Sequence, residues 1–445
     1  MRRLMLTAMS SGSGKTALTC ALLAALKRRG VSVQSFKCGP DYIDPMFHTQ
    51  VLGVPSRNLD LFLQGPEGLM RTLACQRADL ALVEGAMGFY DGLGGTAEAS
   101  AWQTADTADI PAVLILPPSG SSLTLAAQVR GLQSFRSPSH LAGLLLNKCK
   151  PALHAHLAPI LERETGLPVL GFLPPMEEAL FPSRHLGLLT AGEIADLSDR
   201  IEVLADQLER TADIPGLLAL AGGGPASSAV PAPTPVRCRI AVARDGAFCF
   251  LYQDNLEALE QSGAELVFFS PLENRELPPN IHGLYLAGGY PELHARELSE
   301  NKTMRESVRR AITAGLPTVA ECGGFLYLQQ TLEDEQKTPW PMAGVLAGAG
   351  FQTGRLQRFG YLTLTANSDS LLLRPGETAP AHEFHYWDCT ENGVSLDARK
   401  AEHGWHCGFT SPTLYAAFPH LHFNGPLPLA RRFADRAVHW REEHT

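Results

Sequence analysis

The sequence predicts an α/β protein built from two domains, each on a largely parallel sheet. Three observations lead there. Short, nearly all-apolar runs alternate with segments of helical spacing, and uninterrupted apolar strands belong in sheets covered on both faces. Residues 221–235 are dominated by Gly, Ala, Ser and Pro without periodicity, which marks a linker. A length of 445 residues suggests two or three domains. We therefore expect domains at 1–220 and 237–445, joined by a linker at 221–236.

The expected strands of the first half are 4–8, 31–36, 80–83, 112–116, 141–146 and 169–172. Between the first two, Leu18, Leu22, Leu23 and Leu26 repeat at helix spacing and stop at Lys27-Arg28-Arg29-Gly30. Met1-Arg2-Arg3 and the apolar residues after it mimic the start of a signal peptide. Ser10-Ser11-Gly12 breaks that run at once, so it reads as a first core strand. After the linker, 239–243, 266–269, 284–287 and 318–320 are the expected strands.

Composition narrows the function. Hydrophobic residues make up 45% and charged residues 19%, the balance of a globular protein. A net charge of -9 offers no basic patch for a phosphate backbone, so nucleic acid is not an expected partner. No run of eighteen apolar residues exists, so no membrane partner is expected either. The nine cysteines form no C-x-x-C pair, which argues against a zinc knuckle or a disulfide framework. Free thiols suit a reducing, cytoplasmic setting.

Two stretches carry chemistry. The first is Ala8-Met9-Ser10-Ser11-Gly12-Ser13-Gly14-Lys15-Thr16, between the first strand and the first helix. There Gly12 and Gly14 let backbone N–H groups turn toward phosphates, Lys15 adds charge, and Thr16 is placed to ligate Mg²⁺. Met9 stands where the strict phosphate-loop pattern has Gly. Glu84 ends an apolar strand, where a metal-binding or water-orienting carboxylate belongs. Lys37, Asp41, Tyr42 and Asp44 follow the second strand and suit a metal and an anionic substrate. Asp91 is a weaker candidate of the same kind, and Asn147 is a candidate to read a nucleotide base.

The second stretch is Glu321-Cys322-Gly323-Gly324-Phe325, an apolar run ending in a nucleophile elbow. The glycines permit the turn, and a helix start behind the thiol favours its thiolate. Gly288 and Gly289 end another strand and suit an oxyanion hole. His420 is the candidate base, with His422 as the alternative. Together these make an acyl-transfer site. His382, Glu383 and His385 read as a packed or hydrogen-bonded His pair rather than a metal site.

The segments AMSSGSGKT, FKCGPDYIDP, LVEGAMGFYDG, PSRHLGL, ARDGAFCFLYQDNLEAL, LAGGYPELHA, ECGGFLYL and HEFHYW resemble the cobyrinate a,c-diamide synthases of cobalamin biosynthesis, from about residue 4 to about residue 435. The resemblance implies a dethiobiotin-synthetase-like parallel sheet followed by a class I glutamine amidotransferase-like domain. It implies that ATP and Mg²⁺ phosphorylate the a- and c-carboxylates of a corrin dicarboxylate. It further implies that L-glutamine yields ammonia through a Cys thioester, and that ammonia displaces phosphate along a protected route. Cys322 then matches the nucleophile and His420 its activator. Lys15 and Thr16 match the phosphate and Mg²⁺ positions. Asp41, Tyr42, Asp44, Glu84 and Asp91 match polar positions around phosphate, metal and substrate. The resemblance leaves His420 in a dyad, oriented by backbone or water.

Three alternatives stay open at this level. Two are related tetrapyrrole amidotransferases, cobyric acid synthase and nickel-sirohydrochlorin a,c-diamide synthase. The third is an ATPase switch without amidation. The oligomeric state, with a homodimer among the options, and the metal content of the corrin are not readable from the sequence.

Overall fold

A computed structural model of the chain describes residues 1–74, 77–118, 120–179, 181–184, 187–223 and 234–444. Residues 224–233, most of the expected linker, lie outside the described residues, as do His185 and Leu186 of the PSRHLGL segment. The chain divides into two compact units that part between Val230 and Pro231, with Phe62–Gln64 grouped with the second.

In the first unit, β1 (Arg2–Ala8), β2 (Val33–Cys38), β3 (Arg57–Leu59), β4 (Leu80–Glu84), β5 (Ala112–Leu116), β6 (Leu141–Asn147) and β7 (Val169–Leu173) form one sheet. Their order is β3-β2-β4-β1-β5-β6-β7, and every pair along it is parallel. The strands are short and apolar because both faces are covered, and β4 and β5 are buried at every position. Helix α1 (Lys15–Arg28) follows β1, and α2 (Ile43–Leu52) follows β2. The strand order reverses at β1, with β4 on one side and β5 on the other. Ligands of doubly wound sheets bind at the carboxyl ends of strands near such a reversal. A short antiparallel pair, β8 (Ser183–Arg184) and β9 (Gly187–Leu188), comes later. β10 (Gly222–Gly223) pairs with the start of β1, so the first residues of the expected linker are held by the sheet.

The second unit has two sheets. β11 (Cys238–Ala243), β12 (Ala264–Phe269), β13 (Gly283–Leu286), β14 (Thr318–Glu321), β21 (Phe409–Ser411) and β22 (Leu414–Ala417) run in the order β12-β11-β13-β14-β22-β21. All these pairs are parallel except the edge pair β21 and β22. Alternate residues feed two cores. Val242, Tyr285 and Val319 enter one, while Ala243, Leu286 and Ala320 enter the other.

The second sheet was not anticipated. β15 (Thr331–Glu333), β16 (Pro339–Pro341), β17 (Ala349–Ala366), β18 (Thr378–Cys389) and β23 (His420–Leu421) form it, with β19 (Leu396–Lys400) and β20 (His403–Cys407) attached to β17. It is largely antiparallel. Irregularities between Gln352, Gln357 and Gly360 break the alternation of β17. Much of that strand is neither buried nor exposed, so its sequence shows no clean two-residue period. Among the described residues no helix is long and apolar enough to cross a membrane.

Candidate active sites

In the first unit the loop after β1 closes on itself before α1 begins. Gly14 has a φ of +88°, and a Cβ there would lie 2.1 Å from Asn147 Nδ2. Only glycine meets both conditions. Asn147 donates from Nδ2 to the Ser13 carbonyl at 2.8 Å and accepts from the Lys148 amide at 2.9 Å. Its side chain thus braces the loop that the sequence had it join in binding a nucleotide. Lys15 Nζ donates to the carbonyls of Ser10 at 3.1 Å and Met87 at 2.6 Å. Burial, and then the neighbouring Lys37, lower its pKa to about 8.

Glu84 is the hub. Its Oε1 accepts from Thr16 Oγ1 and from Lys37 Nζ, each at 2.8 Å, and its Oε2 lies 2.8 Å from His48 Nε2. Lys37 also meets Asp44 at 2.6 Å. Burial works against charge on Lys37, but Asp44 and Glu84 outweigh it and hold the ammonium well above its usual range. Burial raises both carboxylates. For Asp44 the nearby Asp41 adds to that rise; for Glu84 the charge of Lys37 and the hydrogen bond from His48 prevail and hold it low.

The oxygen set Thr16, Asp44 and Glu84 is the hard-donor chemistry Mg²⁺ takes, usually with phosphate oxygens and water completing the shell. Among the described residues no group of three or more His, Cys, Asp or Glu stands together as a protein-only metal cage. Asp41 Oδ1 accepts from the amides of Ile43 and Asp44 at 2.8 and 3.2 Å, so it caps the start of α2. Asp91 Oδ2 accepts from the Gly88 amide at 2.9 Å and closes a turn. Tyr42 is buried. Sequence reasoning missed His48. Its signal was available: it lies four residues after Asp44 on α2, on the same helix face.

In the second unit Cys322 directly follows β14 with a φ of 49° and a ψ of -102°. A non-glycine residue held there is strained, and such strain collects at reactive sites. The Cys322 amide is tied to the Ala417 carbonyl of β22 at 2.9 Å. The Cβ position of Gly323 lies 3.0 Å from the Gly289 amide nitrogen. A Cβ on Gly288 would lie 2.5 Å from His420 Cε1. The Cys322 turn and the His420 ring therefore both border the Gly288–Gly289 turn.

His420 is fully buried on β23, where its register partner is His382 on β18. Burial, then His382 and His385, lower its pKa to about 3. Burial pushes the Cys322 thiol up, Glu292 and Glu383 add to this, and the Gly323 amide opposes it. Burial thus disfavours charge on both the thiol and the imidazole. The expected thiolate is not favoured, because the helix behind Cys322 spans only Gly323–Tyr327 and burial dominates.

His422 has other partners. Its Nε2 lies 3.9 Å from Asp254, its Nδ1 accepts from the Asn424 amide at 3.3 Å, and its ring packs against Tyr252. His385 Nε2 meets Glu383 at 2.9 Å, and its ring stacks on Phe418 at 3.8 Å. His382 instead packs its ring against Tyr361 and Phe384, so the two histidines are packed and bonded separately rather than to each other. Glu321 is the other residue whose place the sequence left unassigned, 4.0 Å from His420 Nδ1.

A phosphate loop with a buried acidic hub in one unit, and a cysteine elbow with a buried histidine in the other, define a two-site α/β protein of the amidotransferase class. Family models agree. The CobQ/CobB/MinD/ParA nucleotide binding domain matches residues 4–188, and the CobB/CobQ-like glutamine amidotransferase domain matches residues 239–427. The chain is similar over nearly its whole length to proteins named cobyrinate a,c-diamide synthase. That of Clostridium tetani is 36% identical, covering 98% of this chain and 100% of the relative. That of a Synechococcus strain is 40% identical, covering 95% of each. That of Salmonella typhimurium is 39% identical, covering 93% of each. The chain belongs to the cobyrinate a,c-diamide synthase family.

Proposed function

We propose that this protein amidates the a- and c-carboxylates of cobyrinate or hydrogenobyrinate, using ATP and glutamine-derived ammonia. The first unit, which includes Gly222 and Gly223, carries the ATP-dependent half, and residues 237–445 carry the glutaminase half. A carboxylate repels nucleophiles. Attack of its oxygen on the γ-phosphorus of ATP releases ADP and leaves an acyl phosphate. Ammonia then adds to the acyl carbon, phosphate departs, and a proton is lost. Lys15 and the loop amides hold the transferring phosphate. Thr16, Asp44 and Glu84 would hold Mg²⁺, which would supply neutralisation of the phosphate charge. Lys37, Asp41, Tyr42 and Asp91 are assigned to substrate binding, directly or by shaping the loops around it, and Asn147 keeps the phosphate loop in shape.

In the other half, the Cys322 thiol gives its proton to His420 as sulfur attacks the side-chain amide of glutamine. Amides at Gly288 and Gly289 receive the oxyanion. The C–N bond breaks, ammonia leaves with that proton, and water opens the thioester to glutamate.

The observation that carries this reading is the pairing of two built sites in one chain. One is the Thr16–Glu84–Lys37 cluster, and the other is the strained Cys322 beside the turn that His420 borders. The test is incubation with ATP, Mg²⁺, glutamine and the corrin diacid, followed by mass analysis of the ring. A product carrying two added amides supports it, and an unchanged ring rejects it.

A further inference from the structure

We propose that Glu321 is the positioning residue of the glutaminase site, holding His420 in the tautomer whose Nε2 lone pair takes the Cys322 proton. This inference rests on the roles given above to Cys322 and His420.

Glu321 is the last residue of β14, directly before the nucleophile, and only 1% exposed. Its two oxygens act on the neighbourhood of His420. Oε1 accepts from the amide of Leu421, the residue after His420, at 2.9 Å. Oε2 accepts from the Tyr285 hydroxyl at 3.0 Å and lies 4.0 Å from His420 Nδ1. One carboxylate therefore grips the backbone of β23 and faces one edge of the imidazole. On another edge the ring packs close against Gly288, where an added Cβ would lie only 2.5 Å from His420 Cε1.

A carboxylate oxygen only accepts, so the ring nitrogen that faces it must carry hydrogen. An ionised Glu321 thus favours the tautomer with the proton on Nδ1 and the lone pair on Nε2. The same negative charge stabilises the imidazolium that forms when Nε2 takes the thiol proton, the role a carboxylate plays in nucleophile–histidine–acid triads. A separation of 4.0 Å is longer than a hydrogen bond, and catalytic hydrogen bonds of this kind tighten as substrate binds. The acid sits at the end of the strand that leads into the nucleophile.

A purely structural role is separable. Glutamine at 321 would keep the Leu421 amide bonded through its carbonyl, while its amino group could only donate to the Tyr285 oxygen, whose hydroxyl proton loses its acceptor. That amino group would then turn a donor toward His420 Nδ1 and favour the wrong tautomer.

The experiment compares full-length wild type, Glu321→Gln and Glu321→Asp for glutamate release from glutamine, and for amide synthesis from ammonium chloride. Glu321→Gln is expected to lower the glutaminase kcat by at least about 100-fold. Its KM for glutamine should stay within about twofold and its ammonia-driven synthesis at the wild-type rate. Glu321→Asp should regain part of the lost rate. Nitrogen-15 NMR of the wild type should find His420 protonated at Nδ1, a reading that does not depend on any variant folding. A Glu321→Gln enzyme with unchanged kcat, equal loss of ammonia-driven synthesis, or a His420 protonated at Nε2 would each overturn the inference alone. A wild type that releases no glutamate would overturn the glutaminase reading itself, and this inference with it.

Discussion

Thr16 Oγ1 donates to Glu84 Oε1 across 2.8 Å, which joins the first turn of α1 to the end of β4. Those elements are 68 residues apart in sequence. The same oxygen takes the Lys37 ammonium at the same distance, so a single atom gathers the groups proposed to hold metal and substrate.

Replacing Glu84 by Ala leaves Lys37 with Asp44 alone and removes the His48 contact. Leaving one member of a buried ion cluster uncompensated costs about 3–5 kcal/mol. We expect lower thermal stability and no amide synthesis from either glutamine or ammonia. Lys15→Ala should keep its stability and lose both syntheses. Calorimetry and product mass check the pair, and synthesis retained by either variant would reject the phosphate-site assignment.

Cys322→Ser should abolish glutamine-driven synthesis and leave ammonia-driven synthesis intact, because the proposal separates the two chemistries. Assays with each nitrogen source decide it, and loss of both would contradict separate sites.

Gly288→Ala places a methyl 2.5 Å from His420 Cε1, so the ring must move. A displacement near 1 Å costs on the order of 100-fold in rate at a reacting centre. We expect that loss in glutamate release, with ammonia-driven synthesis unchanged. Steady-state kinetics with both nitrogen sources measure it.

Acid should destabilise the second unit. Burial lowers the pKa of His382, His420 and His422 from 6.5 to about 3 each. A histidine with a depressed folded pKa binds its proton more readily unfolded, so stability falls as pH drops from 6.5 toward 3. Glu321 acts oppositely. Burial raises its pKa from 4.5 to about 7, which favours the folded state below 4.5 and withdraws that support as pH rises through 7. All four groups are buried to a similar degree, so three histidines outweigh one carboxyl. The thermal midpoint should therefore fall steeply between pH 6.5 and 4, and His422→Asn should flatten that fall. A flat profile in the wild type would contradict the burial argument.

Much of both sites was legible because the constraint is local. Gly14, Lys15 and Thr16 must follow one another for a loop to turn into a helix, and Cys322 must precede glycine to stand on an elbow. Long-range partners were not legible. His48 reaches Glu84 across 36 residues; its spacing from Asp44 marks a shared helix face, but not which strand supplies the partner. Glu321 was part of a recognised motif, yet its role depends on β23 returning 100 residues later to offer the Leu421 amide. The sheet that carries β18 was missed for the same reason. It exists through pairings between distant segments, and the register of His382 with His420 is a property of the fold rather than of either segment.

The most direct test of the account follows the oxygen of the activated carboxylate. With the corrin a- and c-carboxylates labelled with oxygen-18, amidation through acyl phosphates must carry one labelled oxygen into inorganic phosphate for every amide formed. Mass analysis of the released phosphate should find that ratio. Amide formed with ATP consumption but unlabelled phosphate would contradict the account at its centre.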